Sequence, residues 1–470
     1  MTEPTTIDLL SLAREAPVHF MGVGGAGMEP LAELVLRSGG QVTGCDMKDS
    51  GARTGLEEAG ASVSVGHDPA HVAGCSALVV TAAVPADHPE IMAARAAGIP
   101  VLKRAQALGG IVNEGYVIGI AGTHGKTTTT ALTTAVLSAA GMDPTGIVGG
   151  RVAGWEGNLR VGARKLFVVE ADEYDRSFHT LRPTIGVVTT VEADHLDIYG
   201  TLEAVEDAFV EYLERIPENG LIVGSADDSG VGRLLPRIPK GPRVVTCGTS
   251  AGSMVRAEEI SHQGRSSTFA VRENGKRLGE VIIQLPGIHN VRNALAAIAV
   301  ARHLGAEIDT IREGLASYTG VERRFEAVGE AAGVTVIDDY AHHPTEIAAT
   351  LSAARGAYPD ARLVAVFQPH LYTRTRDFAI DFGRSLAAAD LVFVADVYSA
   401  REEPIAGVSG ELIVNAARDA GAKVHYLPVR EELAAAVADA LQPGDLCVTL
   451  GAGDLNAAAR QLLELLGNDD

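Results

Sequence analysis

An apolar run, Tyr116–Ala121, breaks into Gly122-Thr123-His124-Gly125-Lys126-Thr127 and resumes as a helix-forming stretch reaching residue 140. No other feature constrains the chain as much. A strand, a tight glycine turn and a helix in that order make half of a parallel α/β unit. The glycines let the turn wrap an anion, so that backbone N–H groups and the helix N-terminus face it. Lys126 can then reach the outer phosphates of a nucleoside triphosphate, and the Thr127 hydroxyl can ligate Mg²⁺. The general form of such a loop has a glycine six residues before the lysine; Ile120 stands there, and the glycine is Gly122.

A second glycine turn lies near the start. The short strand Val18-His19-Phe20-Met21 leads into Gly22-Val23-Gly24-Gly25-Ala26-Gly27, then a helical stretch over 28–38, then a strand over 41–44 ending at Cys45-Asp46. This matches a dinucleotide-binding fingerprint, with a pyrophosphate on the helix N-terminus and a hydroxyl near Asp46. Taken alone it would suit an NAD-dependent oxidoreductase, but that leaves the Gly122–Thr127 loop unexplained. A non-catalytic, nucleotide-gated binding protein is a further alternative.

Strands and helices alternate nearly throughout. Strands are expected at 77–81, 101–102, 166–170, 185–190, 221–224, 334–337, 363–367, 391–395, 424–427 and 446–450, and helices at 89–97 and 290–303. Around 254–285 the residues alternate about Asn274-Gly275, which predicts a hairpin and a small antiparallel sheet. The 470 residues suit about three domains. The expected fold is therefore α/β with three domains. The N-terminal one is Rossmann-like, the central one a P-loop ATP-binding domain carrying the small antiparallel sheet, and the C-terminal one Rossmann-like.

Composition narrows the partners. Acids outnumber bases 60 to 39, a formal charge of −21. So acidic a chain is not built for nucleic acid or anionic membranes, which both rest on clustered Lys and Arg. An anionic substrate must be held locally, by N–H groups, a few cations and metal ions. Cys45, Cys75, Cys247 and Cys447 are scattered with no Cys-x-x-Cys, and are expected as buried free thiols. Met1-Thr2-Glu3-Pro4 does not open a secretory signal. The longest apolar runs, such as 294–301, fall short of the roughly 20 residues a bilayer span needs. A cytoplasmic protein without membrane insertion is expected. The oligomeric state is not legible.

Acids follow two strands. Glu170 closes one, with Asp172, Glu173 and Asp175 behind it, and Glu192, Asp194, His195 and Asp197 follow another. Carboxylates beside a phosphate loop require a divalent cation between them and the nucleotide. Glu170 suits that role, and His195 a second, softer position. The last third gathers Arg323, Arg324, His342, His343, His370, Arg374 and Arg376, cations able to clamp a carboxylate or a transferring phosphoryl group.

These strings together resemble the Mur ligase family of ATP-dependent amide-forming enzymes over essentially the whole chain. The carriers are Gly22–Met28, Gly122–Thr129, Val169-Glu-Ala-Asp-Glu173, Glu192-Ala-Asp-His-Leu-Asp197, His289-Asn290, Arg323-Arg-Phe325, Asp338-Asp-Tyr-Ala-His-His-Pro344, Phe367-Gln-Pro-His370 and Tyr372-Thr-Arg-Thr-Arg376. The family's glycine spacing also accounts for Ile120. The resemblance implies a UDP-sugar domain over 1–114, an ATP domain over 115–323 and an amino-acid domain over 324–470. It implies ligation of L-alanine to the lactyl carboxylate of UDP-N-acetylmuramate, with ATP and Mg²⁺; addition of a preformed tripeptide is the alternative within the family.

By motif match, Gly122, Thr123, His124, Gly125, Lys126, Thr127, Thr128, His289, Asn290, Arg324, Asp339 and Tyr340 would hold ATP. Gly24, Gly25, Ala26, Gly27, Asp46, Thr81 and Arg104 would hold the UDP-sugar. Thr127, Glu170 and His195 would serve the metal. Lys126, Glu170, His342, His370 and Arg374 would carry the chemistry. The chain has Thr190 where relatives usually carry Asn, and Leu371 where they often carry Arg. No lysine lies between Glu170 and Asp197, so a carbamylated lysine bridging metals is not expected.

Overall fold

The computed structural model describes residues 7–47, 51–81, 84–238, 240–400 and 402–467; residues 1–4, where a signal was sought, lie outside it. The strands are β1 Val18–Met21, β2 Val42–Asp46, β3 Ser62–Val65, β4 Ala77–Val80, β5 Val101–Lys103, β6 Tyr116–Ala121, β7 Thr145–Ile147, β8 Leu159–Arg160, β9 Leu166–Glu170, β10 Ile185–Val188, β11 Leu221–Ser225, β12 Arg243–Gly248, β13 Val255–Gln263, β14 Ser266–Glu273, β15 Lys276–Ile283, β16 Glu326–Ala331, β17 Val334–Asp339, β18 Leu363–Phe367, β19 Leu391–Val394, β20 Val424–Tyr426 and β21 Leu446–Leu450.

They form three sheets. The first runs β3-β2-β1-β4-β5, all parallel. Its order reverses beside β1, so the loop after β1 opens into a crevice at the strand ends, where open α/β sheets bind ligands. The second sheet carries β12-β11-β10-β6-β9-β7 in parallel, with β8 antiparallel at the edge. The third runs β16-β17-β21-β18-β19-β20, with only β16 antiparallel. Central strands such as β6, β10, β18 and β21 are apolar and buried along their lengths, as parallel strands covered on both faces must be.

The hairpin forms where expected. Asn274 (φ 49°) and Gly275 (φ 82°) both take positive φ between β14 and β15, as a two-residue I′-type turn requires. These strands do not stand apart as a small sheet: β13 starts parallel to β12, pairing Val255 with Cys247, and so prolongs the second sheet.

The chain packs as two compact units. One comprises 1–257, 271–279 and 292–317, with the first sheet and the parallel part of the second; the other comprises 258–270, 280–291 and 318–470, with the third sheet.

Candidate active site

In the first unit, Gly122 (φ 139°) and Gly125 (φ 83°) give the loop its shape, and Gly125 caps the helix Lys126–Ala139. A Cβ on Gly122 would lie 2.0 Å from Thr189 Oγ1, so the loop closes only on glycine. The segment after β10 clamps it. Thr123 N–H donates to Thr190 O and His124 N–H to Thr190 Oγ1, both at 2.9 Å, and Glu192 N–H donates to Thr123 Oγ1 at 3.0 Å. The hydroxyl of Thr190 is thus used to position the loop. Thr127 and Thr128 are buried on the helix's first turn.

Lys126 Nζ folds back to donate to Gly122 O at 2.7 Å and to both oxygens of Glu173, at 2.7 and 3.0 Å. Burial works against its charge, but Glu173, Asp172 and Glu170 more than offset that, so its pKa stands above the usual lysine value. Burial pushes the Glu173 carboxyl up to about 7, with Lys126 pulling the other way. Tyr199 O–H holds the Glu173 carbonyl at 2.5 Å.

Glu173 was only one of several acids in the sequence. Its distinguishing feature, burial against the loop lysine, comes from the turn after β9 and from no spacing rule. His195 stands beside it, Nε2 3.8 Å from Glu173 Oε1. Glu170 turns elsewhere, accepting from Gly149 N–H at 2.5 Å.

The first glycine turn is pinned in the same unit. Gly22 N–H donates to Cys45 O at 2.8 Å and Gly24 N–H to Asp46 Oδ2 at 3.0 Å, so the carboxylate expected beside a ligand hydroxyl also holds the turn. Asn158 Nδ2 donates to Ala26 O at 2.9 Å, tying the turn to the second sheet's edge, while Gly25 is left exposed. Thr81 packs beside Gly22. The Arg104 side chain lies across Gly27, where a Cβ would come within 3.0 Å of its Cδ; Nη2 reaches to 3.7 Å from Asp172. Gly27 and Arg104 on one side, with Gly149, Glu170 and Asp172 on the other, enclose a cavity of about 260 Å³. The first glycine turn and the end of β9, the strand paired with β6, thus line one cleft.

In the second unit, Asp339 ends β17 and accepts Phe325 N–H and Ala341 N–H, each at 2.8 Å. Burial raises its carboxyl to about 6, against the pull of Arg324. Arg323 and Arg324 flank the Tyr340 ring, 4.9 and 5.1 Å from its centroid. The rings of His342 and His370 are 5.8 Å apart, and buried Arg374 places Nη1 3.5 Å from His370 Nδ1.

His342 Nδ1 faces Tyr340 O at 2.9 Å. A ring nitrogen against a carbonyl must carry the proton, which leaves Nε2 as the basic atom. Asn290 Nδ2 donates to Pro286 O at 2.8 Å, and the neighbouring His289 packs on Gly287. Leu371 is buried at φ 70° as the residue before the helix Tyr372–Leu386, an apolar anchor. Arg376 does not join the group: it is exposed and paired with Asp377.

Three family models cover most of this architecture. They are the Mur ligase family catalytic domain over residues 17–116, the Mur ligase middle domain over 120–301, and the Mur ligase glutamate ligase domain over 323–453. The chain belongs to the Mur ligase family. The resemblance drawn from the motifs is thus borne out. Among Mur ligases, it is 43% identical over 461 residues to the UDP-N-acetylmuramate–L-alanine ligase of Salinibacter ruber, covering 98% of this chain and 97% of that one. The enzyme of the same name from Myxococcus xanthus is 44% identical over 467 residues, covering 99% and 98%. A crystal structure of the UDP-N-acetylmuramate–alanine ligase of Thermotoga maritima superposes with a TM-score of 0.82 at 29% identity, covering 97% of this chain and all 100% of that one. A murein peptide ligase from Psychrobacter arcticus gives 0.72 at 27%, covering 96% and 99%.

Proposed function

We propose that this Mur ligase joins L-alanine to the lactyl carboxylate of UDP-N-acetylmuramate, converting ATP to ADP and phosphate. The observation that supports a two-nucleotide ligase is the cleft that Gly27 and Arg104 line with Gly149 and Glu170, at the end of the strand beside the one that feeds the Gly122–Thr127 loop. The near-full-length relatives of that name support alanine as the amino acid. We read 1–114 as the sugar-nucleotide domain, 115–323 as the ATP domain and 324–470 as the amino-acid domain.

In this reading the turn Gly24, Gly25, Ala26 and Gly27 lies along the UDP pyrophosphate, Arg104 adds a cation, and Asp46, held by Gly24 N–H, and Thr81 border the nucleotide. Gly122–Thr128 cradle the ATP phosphates, with His289, Asn290, Arg324, Asp339 and Tyr340 toward the adenosine. Glu170 and Asp172, acids on the cleft, suit a hard divalent cation, and Thr127, Glu170 and His195 would hold Mg²⁺. When bound, it would neutralise charge on the transferring phosphoryl group.

A carboxylate is a poor electrophile, so it is activated first. Its oxygen bonds to the γ-phosphorus while the bond to ADP breaks. The alanine amine then attacks the acyl carbon, its proton passes to His342 Nε2, and phosphate leaves. The first step joins two anions, so Lys126 and Arg374 act by charge. His370, in contact with Arg374, orients it. The proposed place of action is the cytoplasm; among the described residues no helix is long and apolar enough to cross a membrane.

The test is phosphate release with ATP, Mg²⁺, UDP-N-acetylmuramate and either L-alanine or L-Ala-γ-D-Glu-meso-diaminopimelate. Turnover with alanine alone is expected. Turnover with the tripeptide alone would assign the recycling reaction instead.

A further inference from the structure

Beneath the first glycine turn lies a group of side chains that the ligase reading does not use. His19 comes from β1 and Cys45 from β2. His71 comes from the turn Pro69–Val72, and Glu90 from the first turn of the helix Pro89–Ala96. Each offers one ligand atom, and these atoms lie within 4.8 Å of one another. His19 is 1% exposed, and Cys45 and Glu90 are 0%.

Two of the separations, those at Cys45 Sγ, fall in the range of a coordination shell, and the third is a hydrogen bond that a metal would replace. His19 Nε2 is 3.3 Å from Cys45 Sγ, Cys45 Sγ is 3.5 Å from Glu90, and His71 Nδ1 is 2.9 Å from Glu90 Oε1. With metal–ligand bonds of about 2.0–2.3 Å, the donors of a tetrahedral site stand roughly 3.3–3.7 Å apart. His67 adjoins the group, its Nδ1 3.1 Å from Cys45 Sγ and 3.6 Å from Glu90 Oε2.

Charge favours a cation here over a plain hydrogen-bond network. The side-chain partners of Glu90 among the described residues are imidazoles and a thiol, with no lysine or arginine. A carboxylate so buried needs a positive partner. A divalent ion balanced by one thiolate and one carboxylate leaves the core neutral. Supporting bonds are in place too: Thr43 Oγ1 is 2.9 Å from His19 Nδ1, which turns Nε2 toward the group, and Asp68 N–H donates to Glu90 Oε1 at 2.8 Å. Sulfur and imidazole donors select zinc-like ions over Mg²⁺.

We propose that His19, Cys45, His71 and Glu90 form a structural site for a divalent transition metal of the zinc class, with His67 at its edge. The site would tie β1, β2, the turn and the helix together under the glycine loop, since Cys45 O receives the Gly22 and Val23 N–H groups.

The test is Co²⁺ titration of the chelator-stripped full-length chain in excess Mg²⁺. Expected are a thiolate-to-cobalt charge-transfer band and intense visible bands that saturate at about one equivalent and are displaced by Zn²⁺. Cys45→Ser should lose the charge-transfer band. Cys75→Ser should keep it, because Cys75 Sγ faces Thr43 and the His71 carbonyl. His71→Ala should weaken Zn²⁺ by at least about tenfold, the loss that even an indirect partner of a metal can cause. Circular dichroism checks that each variant folds; should Cys45→Ser not fold, His71→Ala and Cys75→Ser decide. No charge-transfer band in the unmodified chain, an identical band in Cys45→Ser, or elimination of the band by Mg²⁺ would each overturn the site. None of these readouts depends on ligase turnover.

Discussion

Replacing Lys126 by Met separates a structural effect from a chemical one. The Lys126 and Glu173 side chains are 15% and 3% exposed and share bonds at 2.7 and 3.0 Å. Removing one partner of a buried pair costs about 3–5 kcal/mol, because the other charge is stranded. Glu173 can escape by taking a proton, so the cost depends on pH. Burial raises its folded-state pKa to about 7 from an ordinary 4.5, and losing Lys126 removes a group that lowers it. An acid with a raised folded pKa holds a proton that the unfolded chain has released, so stability falls as pH rises from 4.5 through 7. Without Lys126 the folded value rises further, so the deficit of the variant grows with pH toward the roughly 3–5 kcal/mol of a stranded buried charge.

Lys126→Met should therefore be near normal in stability at pH 5 and clearly weakened at pH 8, read as the unfolding midpoint of the full chain in urea. Adding Glu173→Gln should restore most of the loss at pH 8, while phosphate release stays abolished in both variants. An equal deficit at the two pH values, or a double variant no more stable than the single, would refute the buried pair. Normal turnover in the single variant would refute the phosphate role of Lys126.

Arg104→Ala should raise KM for UDP-N-acetylmuramate about tenfold or more, the loss of a charge-assisted hydrogen bond, with KM for ATP little changed; initial-rate kinetics check this. Asp339→Asn should lose about 1–3 kcal/mol of stability by thermal unfolding, since its amide group must turn a donor toward Phe325 N–H or Ala341 N–H. If phosphate displaces Glu173 from Lys126, nucleotide binding at pH 7 should change the bound protons, seen as a dependence of calorimetric binding heat on the buffer's ionisation enthalpy; equal heats in all buffers would reject the exchange.

The sequence was most readable where local chemistry alone decides structure. β6, β9, β18 and β21 match the expected strands at both ends, because fully buried parallel strands are continuous apolar runs bounded by turn residues. Of the edge strands, β5 and β20 were read, but β3 and β16 escaped notice. β3 and β16 are half exposed and polar, so no run marks them, and only pairing with β2 and β17 makes them strands. The site divides in the same way. The loop glycines, Lys126 and Asp46 carry their meaning in spacing. Glu173 and the His19–Cys45–His71–Glu90 group do not, since their partners are brought together from separate elements by the fold.

The cations of the first unit's two cradles are already matched: Lys126 by Glu173, and Arg104 by Asp172 at 3.7 Å. A phosphate entering either cradle must displace a carboxylate or bring a cation with it. In the proposed reaction ATP arrives with Mg²⁺ and so enters without net repulsion from Glu170. For Lys126 the exchange is cheap for another reason. Its ammonium passes from one oxyanion to another and is never left buried and unpaired, which would cost several kcal/mol. Glu173, whose carboxyl burial already pushes up, can take a proton as it is displaced. A carboxylate with an ordinary pKa would have to be expelled as a bare charge. The same burial that makes Glu173 a costly partner to strand thus makes it an easy one to replace, and a chain with 60 acids and 39 bases can admit a triphosphate without a basic surface.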